Sequence, residues 1–331
     1  MNTSFVDAPL VANMVANGIP LRGIPRPGDP APVDVSICLC TFRRESVVDT
    51  LQSLGAQLIS PAQRLEIIVV DSDAAGSARR LVDGERPTLP FPIHYVVAER
   101  PGVAEARNAA VREASGRWLA FIDDDEVAYL DWLAMLLRCA ERYSAQVVFG
   151  AVRTEYPDTC PDWIRRSNLF GKQVAPTGTP VTHGATCNAL VARTALSGEF
   201  RLFDPAYGAT GGEDTEFFFR LSKRGVRMVT CQEAVVRETV EPQRLSREFL
   251  LRKAVRVGET YFRIFFGNAS RAQRGALLVR AGAQWLAASA IALCLRPSGL
   301  GRSMRFRIKA AANFGKLRAA AGCDAVRLYG G

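Results

Sequence analysis

The stretch that decides the fold is WLAFIDDDEVAYLDW, residues 118–132, in which a short apolar run ends on Asp123, Asp124, Asp125 and Glu126. A continuous apolar run of this length reads as a strand buried on both faces. Four adjacent carboxylates repel one another, so they call for a cation, raised pKa values or a structural use.

The pattern repeats outward from there. From Val35, short apolar runs alternate with amphipathic stretches: VSICLC, Ser46 to Leu58, LEIIVV, a polar loop, IHYVV, Ala104 to Ala114, WLAFI, Tyr129 to Tyr143 and AQVVFG. This alternation predicts an α/β domain, a mostly parallel sheet flanked by helices. In such sheets ligands bind outside the carboxyl ends of the strands, where the strand order reverses. Three polar strand ends therefore share one rim: Thr41-Phe42-Arg43-Arg44-Glu45, Asp71-Ser72-Asp73, and the acidic run itself.

Past Gly150, Pro157, Pro161, Pro176 and Pro180 break the pattern, and THGATCNALVAR (182–193) offers one more strand. A helix is expected from Glu213 to about Arg224, its apolar side at Phe217, Phe218 and Leu221. From Leu245 onward the chain reads as helical throughout.

With 331 residues, 48% hydrophobic and 23% charged, the chain can build one large or two modest domains. Its eight cysteines are scattered without a CxxC pair, which indicates reduced thiols and not a zinc site or disulfide framework. Two histidines, His94 and His183, exclude a histidine-rich metal site, so carboxylates must carry any chemistry. The opening MNTSFVDAPLVANMVANG lacks the basic and apolar regions of a leader peptide. Pro20, Pro25, Pro27, Pro30 and Pro32 follow, so residues 1–32 are expected to form a flexible arm.

Charge is unevenly placed: residues 1–241 hold 25 Lys and Arg against 30 Asp and Glu, and residues 242–331 hold 17 against 3. Residues 281–295 carry no charge but are shorter than the roughly 20 apolar positions a spanning helix needs. Beside them lie Arg296, Arg302, Arg305, Arg307, Lys309, Lys316 and Arg318, which suit the anionic inner leaflet. The expected organisation is the arm, a domain at 33–240, and a basic, amphipathic helical region at 241–331 attached peripherally to the inner face of the cell membrane. Few aromatics and no binding module in that region argue against nucleic acid.

Strand alternation would send Asp123 and Asp125 to one side and Asp124 to the other, giving an Asp-x-Asp pair that converges on Mg²⁺ or Mn²⁺. The competing use is capping of the helix expected near Tyr129, which suits Asp124 and Glu126. Asp71 can accept hydrogen bonds from a base or a ribose, or simply close an Asx-turn. In GATGGEDTEFFFR (208–220), Glu213 and Asp214 begin a helix, as N-terminal caps or as a general base acting on an acceptor hydroxyl. Arg100 and Arg107 lie near the rim, where they could meet phosphate or stay solvated. DSDAA (71–75) leaves room for a metal-dependent phosphohydrolase, and a degenerate site for a non-catalytic sugar-nucleotide sensor at the membrane.

Taken together, Thr41 with Glu45, Asp71, ARN at 106–108, DDD at 123–125 and GGED at 211–214 resemble a family 2 glycosyltransferase of the GT-A fold, in order and spacing across about 33–240. The run VVRETVEPQRLSREFLLRKAVRVGETYFR (235–263) is similar to the bacterial exopolysaccharide branch, the succinoglycan-type glucosyltransferases. The resemblance implies inverting transfer from a nucleotide-diphosphate sugar, usually a UDP-sugar, with Mg²⁺ or Mn²⁺, to a glycan or polyprenyl-linked acceptor. It implies that Thr41, Glu45 and Asp71 hold the nucleoside, that Arg107 lies near the diphosphate or the base, and that Asp123 faces the ribose. Asp124 and Asn188 join the nucleotide-sugar set, Asn188 near the donor sugar. Asp125 and Asp123 ligate the metal, Asp214 is the catalytic base, and Glu213 orients the acceptor. Where many members carry a histidine ligand, this chain has VVRETV, so Glu238 is the expected substitute.

Overall fold

The computed structural model describes residues 32–172, 174–199, 201–208, 210–297 and 299–326. The expected N-terminal arm, apart from Pro32, lies outside the described residues.

In chain order the elements are β1 (Val35–Thr41), α1 (Val47–Gly55), β2 (Leu65–Asp71), α2 (Arg79–Glu85), β3 (Ile93–Val97), α3 (Val103–Glu113), β4 (Trp118–Asp123), β5 (Glu126–Ala128) and α4 (Trp132–Arg142). There follow β6 (Val147–Glu155), α5 (Asp162–Ser167), β7 (Asn188–Ala192), α6 (Glu213–Lys223), β8 (Met228–Thr239), α7 (Arg247–Phe266), α8 (Arg271–Cys294) and α9 (Leu300–Ala320). Two compact units emerge: one runs to Arg153 and adds Gln173–Pro205 and Glu213–Glu238. The other joins Thr154–Lys172 and Ala206–Gly212 to the chain from Thr239 onward. A single cut after residue 240 misses those two short segments, because their partners lie far along the chain.

The first unit is built on a sheet of order β3-β2-β1-β4-β7-β6-β8-β5. Ile37, Leu39, Ile67, Ile68, Val69, Val70, Leu119 and Ala120 are fully buried, as strands covered on both faces require. β1 pairs in parallel with β2, Thr41 opposite Asp71, and with β4, Cys40 opposite Asp123. That register brings three strand ends to one rim, at the point where the order turns from β2 and β3 to β4. The sheet is only half parallel: β7 runs antiparallel to β4 and β6, and β5 antiparallel to β8. The expected parallel run therefore stops at β4, and β8 is a strand the sequence pattern did not signal.

The helix expected from Tyr129 begins at Trp132 instead. Glu126 to Ala128 pair with Val236 to Glu238, so backbone hydrogen bonding to a distant strand takes these residues from the helix. Asp124 and Glu126 consequently do not cap it; Asp131 occupies that position.

In the second unit, Cys160, Ile164, Leu250 and Met304 form a small core with Trp163, Phe170 and Ile308 packed against it. α7 and α9 approach closely because Gly258 and Gly315 carry no Cβ; one added at either would overlap the backbone of the other helix, at Ala312 and Val255 respectively. The buried Glu259 ties α7 to Arg318 at 3.0 Å and to the Val326 N–H at 2.9 Å. α8 opens with a capping box, Ser270 with Gln273, and buries Ala281, Ala288 and Ala292. The helical character expected beyond Leu245 is observed in α7, α8 and α9.

Candidate active site

The carboxylates at the end of β4 separate into two groups, and each group has its own arginine. The strand ends at Asp123, and the next two residues form a turn, so alternation does not carry through to Asp125. Asp124 and Asp125 turn together toward Arg44, whose Nη1 lies 3.0 Å from Asp124 Oδ1 and 2.6 Å from Asp125 Oδ2. Asp123 instead faces Arg107 Nη2 at 3.4 Å. The expected grouping of Asp123 with Asp125 is thus replaced by Asp124 with Asp125.

Arg107 projects from α3 and is buried, its other Nη paired with Glu213 at the start of α6. Burial works against its charge, but Glu213, Asp123 and Asp214 outweigh it and hold the guanidinium above its ordinary pKa. Burial raises the Glu213 pKa; Arg107 opposes that rise and the adjacent Asp214 charge adds to it. Glu213 Oε2 has no hydrogen-bond partner among the described residues, so the pair leaves one buried acceptor open. Asp214 is half-buried, with Oδ1 accepting the Thr215 N–H at 2.6 Å. A direct chain of charge thus runs from the Glu-Asp pair through Arg107 to the end of β4.

Burial pushes the Asp124 pKa up to about 6, with Arg44 and the Thr41 hydroxyl pulling it down and Asp125 and Asp123 pushing it further up. On the neighbouring strand end, Asp71 is fully buried. Its Oδ1 accepts the Asp73 N–H at 2.8 Å, and its Oδ2 accepts the Ala78 N–H at 2.8 Å and the Tyr95 hydroxyl at 2.7 Å. Asp71 therefore shapes the loop after β2. A carboxylate so enclosed cannot act as the nucleophile that the phosphohydrolase alternative requires. Arg43 braces the same loop through both oxygens of Asp73, at 2.8 and 3.3 Å.

Two expected residues lie apart from this cluster. Asn188 is buried, accepts from Trp132 Nε1 at 2.8 Å and donates to the carbonyls of Ala151 and Ala234, each at 2.9 Å. Its amide hydrogens are spent on β6 and β8 and its oxygen accepts from α4, so Asn188 is held in the sheet. Glu45 is exposed in the turn before α1.

Among the described residues, ligand atoms of Asp123, Glu126 and Cys187 lie within 4.8 Å of one another. Glu238 stands directly across from Glu126 on the β5–β8 ladder, which puts both side chains on one face. Asp125 is drawn to Arg44 and is not part of this group. The donor set fits a divalent ion: its carboxylate oxygens suit Mg²⁺ or Mn²⁺, with the Cys187 thiol as a softer donor beside them. The sequence pattern signals neither Glu126 and Cys187 as candidate ligands nor Arg43 and Arg44 as braces. The only sequence trace of the braces is the basic pair in the polar end of β1.

Comparison with known proteins bears on this arrangement. Residues 36–199 match the family model described as glycosyl transferase family 2. The chain is 36% identical over 297 residues to the succinoglycan biosynthesis protein ExoM of Rhizobium meliloti (strain 1021), covering 89% of this chain and 96% of that one. It is 27% identical over 146 residues to the UDP-Glc:alpha-D-GlcNAc-diphosphoundecaprenol beta-1,3-glucosyltransferase WfgD of Escherichia coli, covering 43% of this chain and 51% of that protein. The crystal structure of S. aureus TarS 1-349 in complex with UDP shares the fold, with a TM-score of 0.50, 16% identity, and coverage of 88% and 92%. The chain belongs to glycosyltransferase family 2 and has the GT-A fold.

Proposed function

We propose that the protein transfers a sugar, with inversion, from a UDP-sugar to a glycan or polyprenyl-linked acceptor in polysaccharide biosynthesis. The observation that carries this reading is the Arg107 bridge, which links Glu213 beside Asp214 to Asp123 at the strand end where ligands bind in such sheets. An acceptor hydroxyl needs a base as it attacks the anomeric carbon, and half-buried Asp214 is suited to take that proton. Glu213, held by Arg107, orients the acceptor through its open oxygen. Displacement then breaks the bond to the diphosphate on the opposite face of the sugar.

The nucleoside is assigned to the rim formed by Thr41, Glu45 and the loop that Asp71 shapes, with Asp123 toward the ribose. Asp124 holds Arg44 at its edge, and Asn188 supports the site through the sheet. A Mg²⁺ or Mn²⁺ ion bound by Asp123 and Glu126, with Cys187, Glu238 and, on release from Arg44, Asp125 as further candidates, would neutralise the leaving diphosphate. ExoM is named for succinoglycan biosynthesis, which agrees with a role in polysaccharide biosynthesis; WfgD is named for UDP-Glc and an alpha-D-GlcNAc-diphosphoundecaprenol acceptor, which agrees with the donor and acceptor classes proposed. The domain at 33–240 would perform the transfer. The region at 241–331 would hold the enzyme on the cytoplasmic face of the membrane, where a polyprenyl acceptor presents its head.

The test is consumption of UDP-, GDP- and dTDP-sugars by the full chain, with and without Mn²⁺, using a polyprenyl-diphosphate-linked sugar as acceptor. Metal-dependent transfer from a UDP-sugar, giving a product of inverted anomeric configuration, is expected. Use of GDP- or dTDP-sugars alone, or a product with retained configuration, would refute the reading.

A further inference from the structure

We propose that α8 docks lengthwise on an anionic phospholipid bilayer, burying the stripe Val279, Ala283, Leu286, Ala290 and Leu293 at the boundary between headgroups and acyl chains. The inference rests on the membrane-side location proposed above and assigns it a surface. One seam of α8, through Ala281, Ala288 and Ala292, is buried, and Ser303 Oγ of α9 donates to the Ala292 carbonyl at 2.8 Å. Trp285 lies against Phe314 of α9, ring centroids 6.0 Å apart.

A different seam faces outward. Val279, Leu286 and Leu293 are 77%, 63% and 59% exposed, and Ala283 and Ala290, also exposed, fill the steps of three and four residues between them. Such spacing makes one continuous helical stripe. Ile291, 42% exposed, widens it. A contiguous apolar strip of this extent signals a partner.

Charge identifies that partner. From Thr260 to Cys323 the chain contains no Asp or Glu, yet it carries eleven Lys and Arg. Arg271 and Arg280 are exposed toward one end of the stripe and Arg296 just beyond the other, positions from which guanidinium groups reach phosphate headgroups while the stripe sits below them. Burial and the neighbouring Arg280 charge lower the pKa of Lys316, so these two cations stand close together on α8 and α9. A second copy of the same basic face would repel this one, whereas an anionic leaflet attracts it.

Length decides between lying on the bilayer and crossing it. α8 meets the length and composition of a spanning helix overall. Its charge-free part, residues 281–294, reaches only about 21 Å against the roughly 30 Å of hydrocarbon. Its packed partner α9 also exposes Arg302, Arg305 and Lys309, which would be drawn into the hydrocarbon with it.

The test is co-sedimentation of the full chain with phosphatidylcholine vesicles that contain or lack about one-third phosphatidylglycerol, without donor or acceptor. The expected result is binding that requires phosphatidylglycerol, weakens with salt and is released by alkaline carbonate. Leu286→Glu with Leu293→Glu should weaken it at least tenfold while leaving the thermal midpoint in place. Arg280→Gln with Arg296→Gln, which leaves the stripe intact, should weaken it roughly fivefold per charge removed. Absence of vesicle binding would overturn both this proposal and the membrane-side location, leaving the transfer chemistry untouched. Binding that ignores both double variants would retain the location and overturn α8 as the surface. Resistance to carbonate would replace docking with insertion across the bilayer. A lipid-free dimer dissolved by Leu286→Glu with Leu293→Glu would assign the stripe to a second copy of the chain.

Discussion

Two arginines share the carboxylates at the end of β4, and the two clusters differ in depth. Arg107 is 8% exposed and paired with Glu213 at 6%, whereas Arg44 is 30% exposed and meets Asp124 and Asp125 at the edge of the same strand end. Removing one member of a fully buried pair leaves an uncompensated charge, while solvent and nearby side chains can absorb the loss at an edge. The deep cluster should therefore tolerate substitution poorly and hold the reacting groups in place, and the shallow one should tune local charge.

The largest expected effect follows from placing the base beside the deep cluster. Asp214→Asn should lower sugar transfer by roughly 10²–10⁴, the range for loss of a general base, with the thermal midpoint unchanged. Single-turnover measurement of product separates this from weaker donor binding. A loss below tenfold would move the base elsewhere and remove the chemical distinction between the clusters.

Stability sharpens the same contrast. Arg107→Met leaves the buried Glu213 charge without its partner and should cost about 3–5 kcal/mol in denaturant unfolding. Because burial already raises the Glu213 pKa, adding Glu213→Gln should recover much of that loss. No recovery in the double variant would mean that Arg107 acts through packing on Phe203, whose ring centroid is 5.9 Å from the guanidinium carbon.

The shallow cluster should declare itself through pH. Burial raises the Asp124 pKa to about 6, so the folded chain binds this proton more tightly than the unfolded chain does. Stability from this group is therefore greatest below about pH 4 and falls as pH rises toward 6, by at most about 3 kcal/mol. Asp124→Asn removes the titration and should flatten that part of the curve. Unchanged slope in the variant would assign it to another carboxylate.

How far these clusters can be read from sequence depends on the range of the contacts that build them. The apolar runs at Val35, Leu65 and Trp118 announce buried strands locally, and the rule that ligands meet strand ends then singles out Thr41, Asp71 and Asp123. The pairing of Glu126 with Glu238 spans more than a hundred residues, so neither strand β5 nor the delayed start of α4 is visible beforehand. Asn188 illustrates a further limit. Its residue type suits a sugar contact, and only the positions of Trp132, Ala151 and Ala234 reveal that its amide is already spent. Likewise, the periodicity of 118–126 suggests two faces for the three aspartates, but a turn after Asp123 sends the last two to the same arginine.

That arginine supplies the smallest effect and the closest check on the comparison. Arg44→Ala removes a partly exposed partner, so its cost to stability at acidic pH, where Asp124 is neutral, should be under about 1 kcal/mol. Its charge, however, is the main influence pulling the Asp124 pKa down against burial. Without it the proton should be held more tightly still, and the midpoint of the Asp124 titration, followed by carboxyl NMR shifts, should move above 6. The fall in stability would then extend to higher pH even though the loss at acidic pH is slight, because Asp124 is neutral there and needs no partner. A midpoint that stays put would show that burial and the neighbouring carboxylates, and not Arg44, set the charge of this edge.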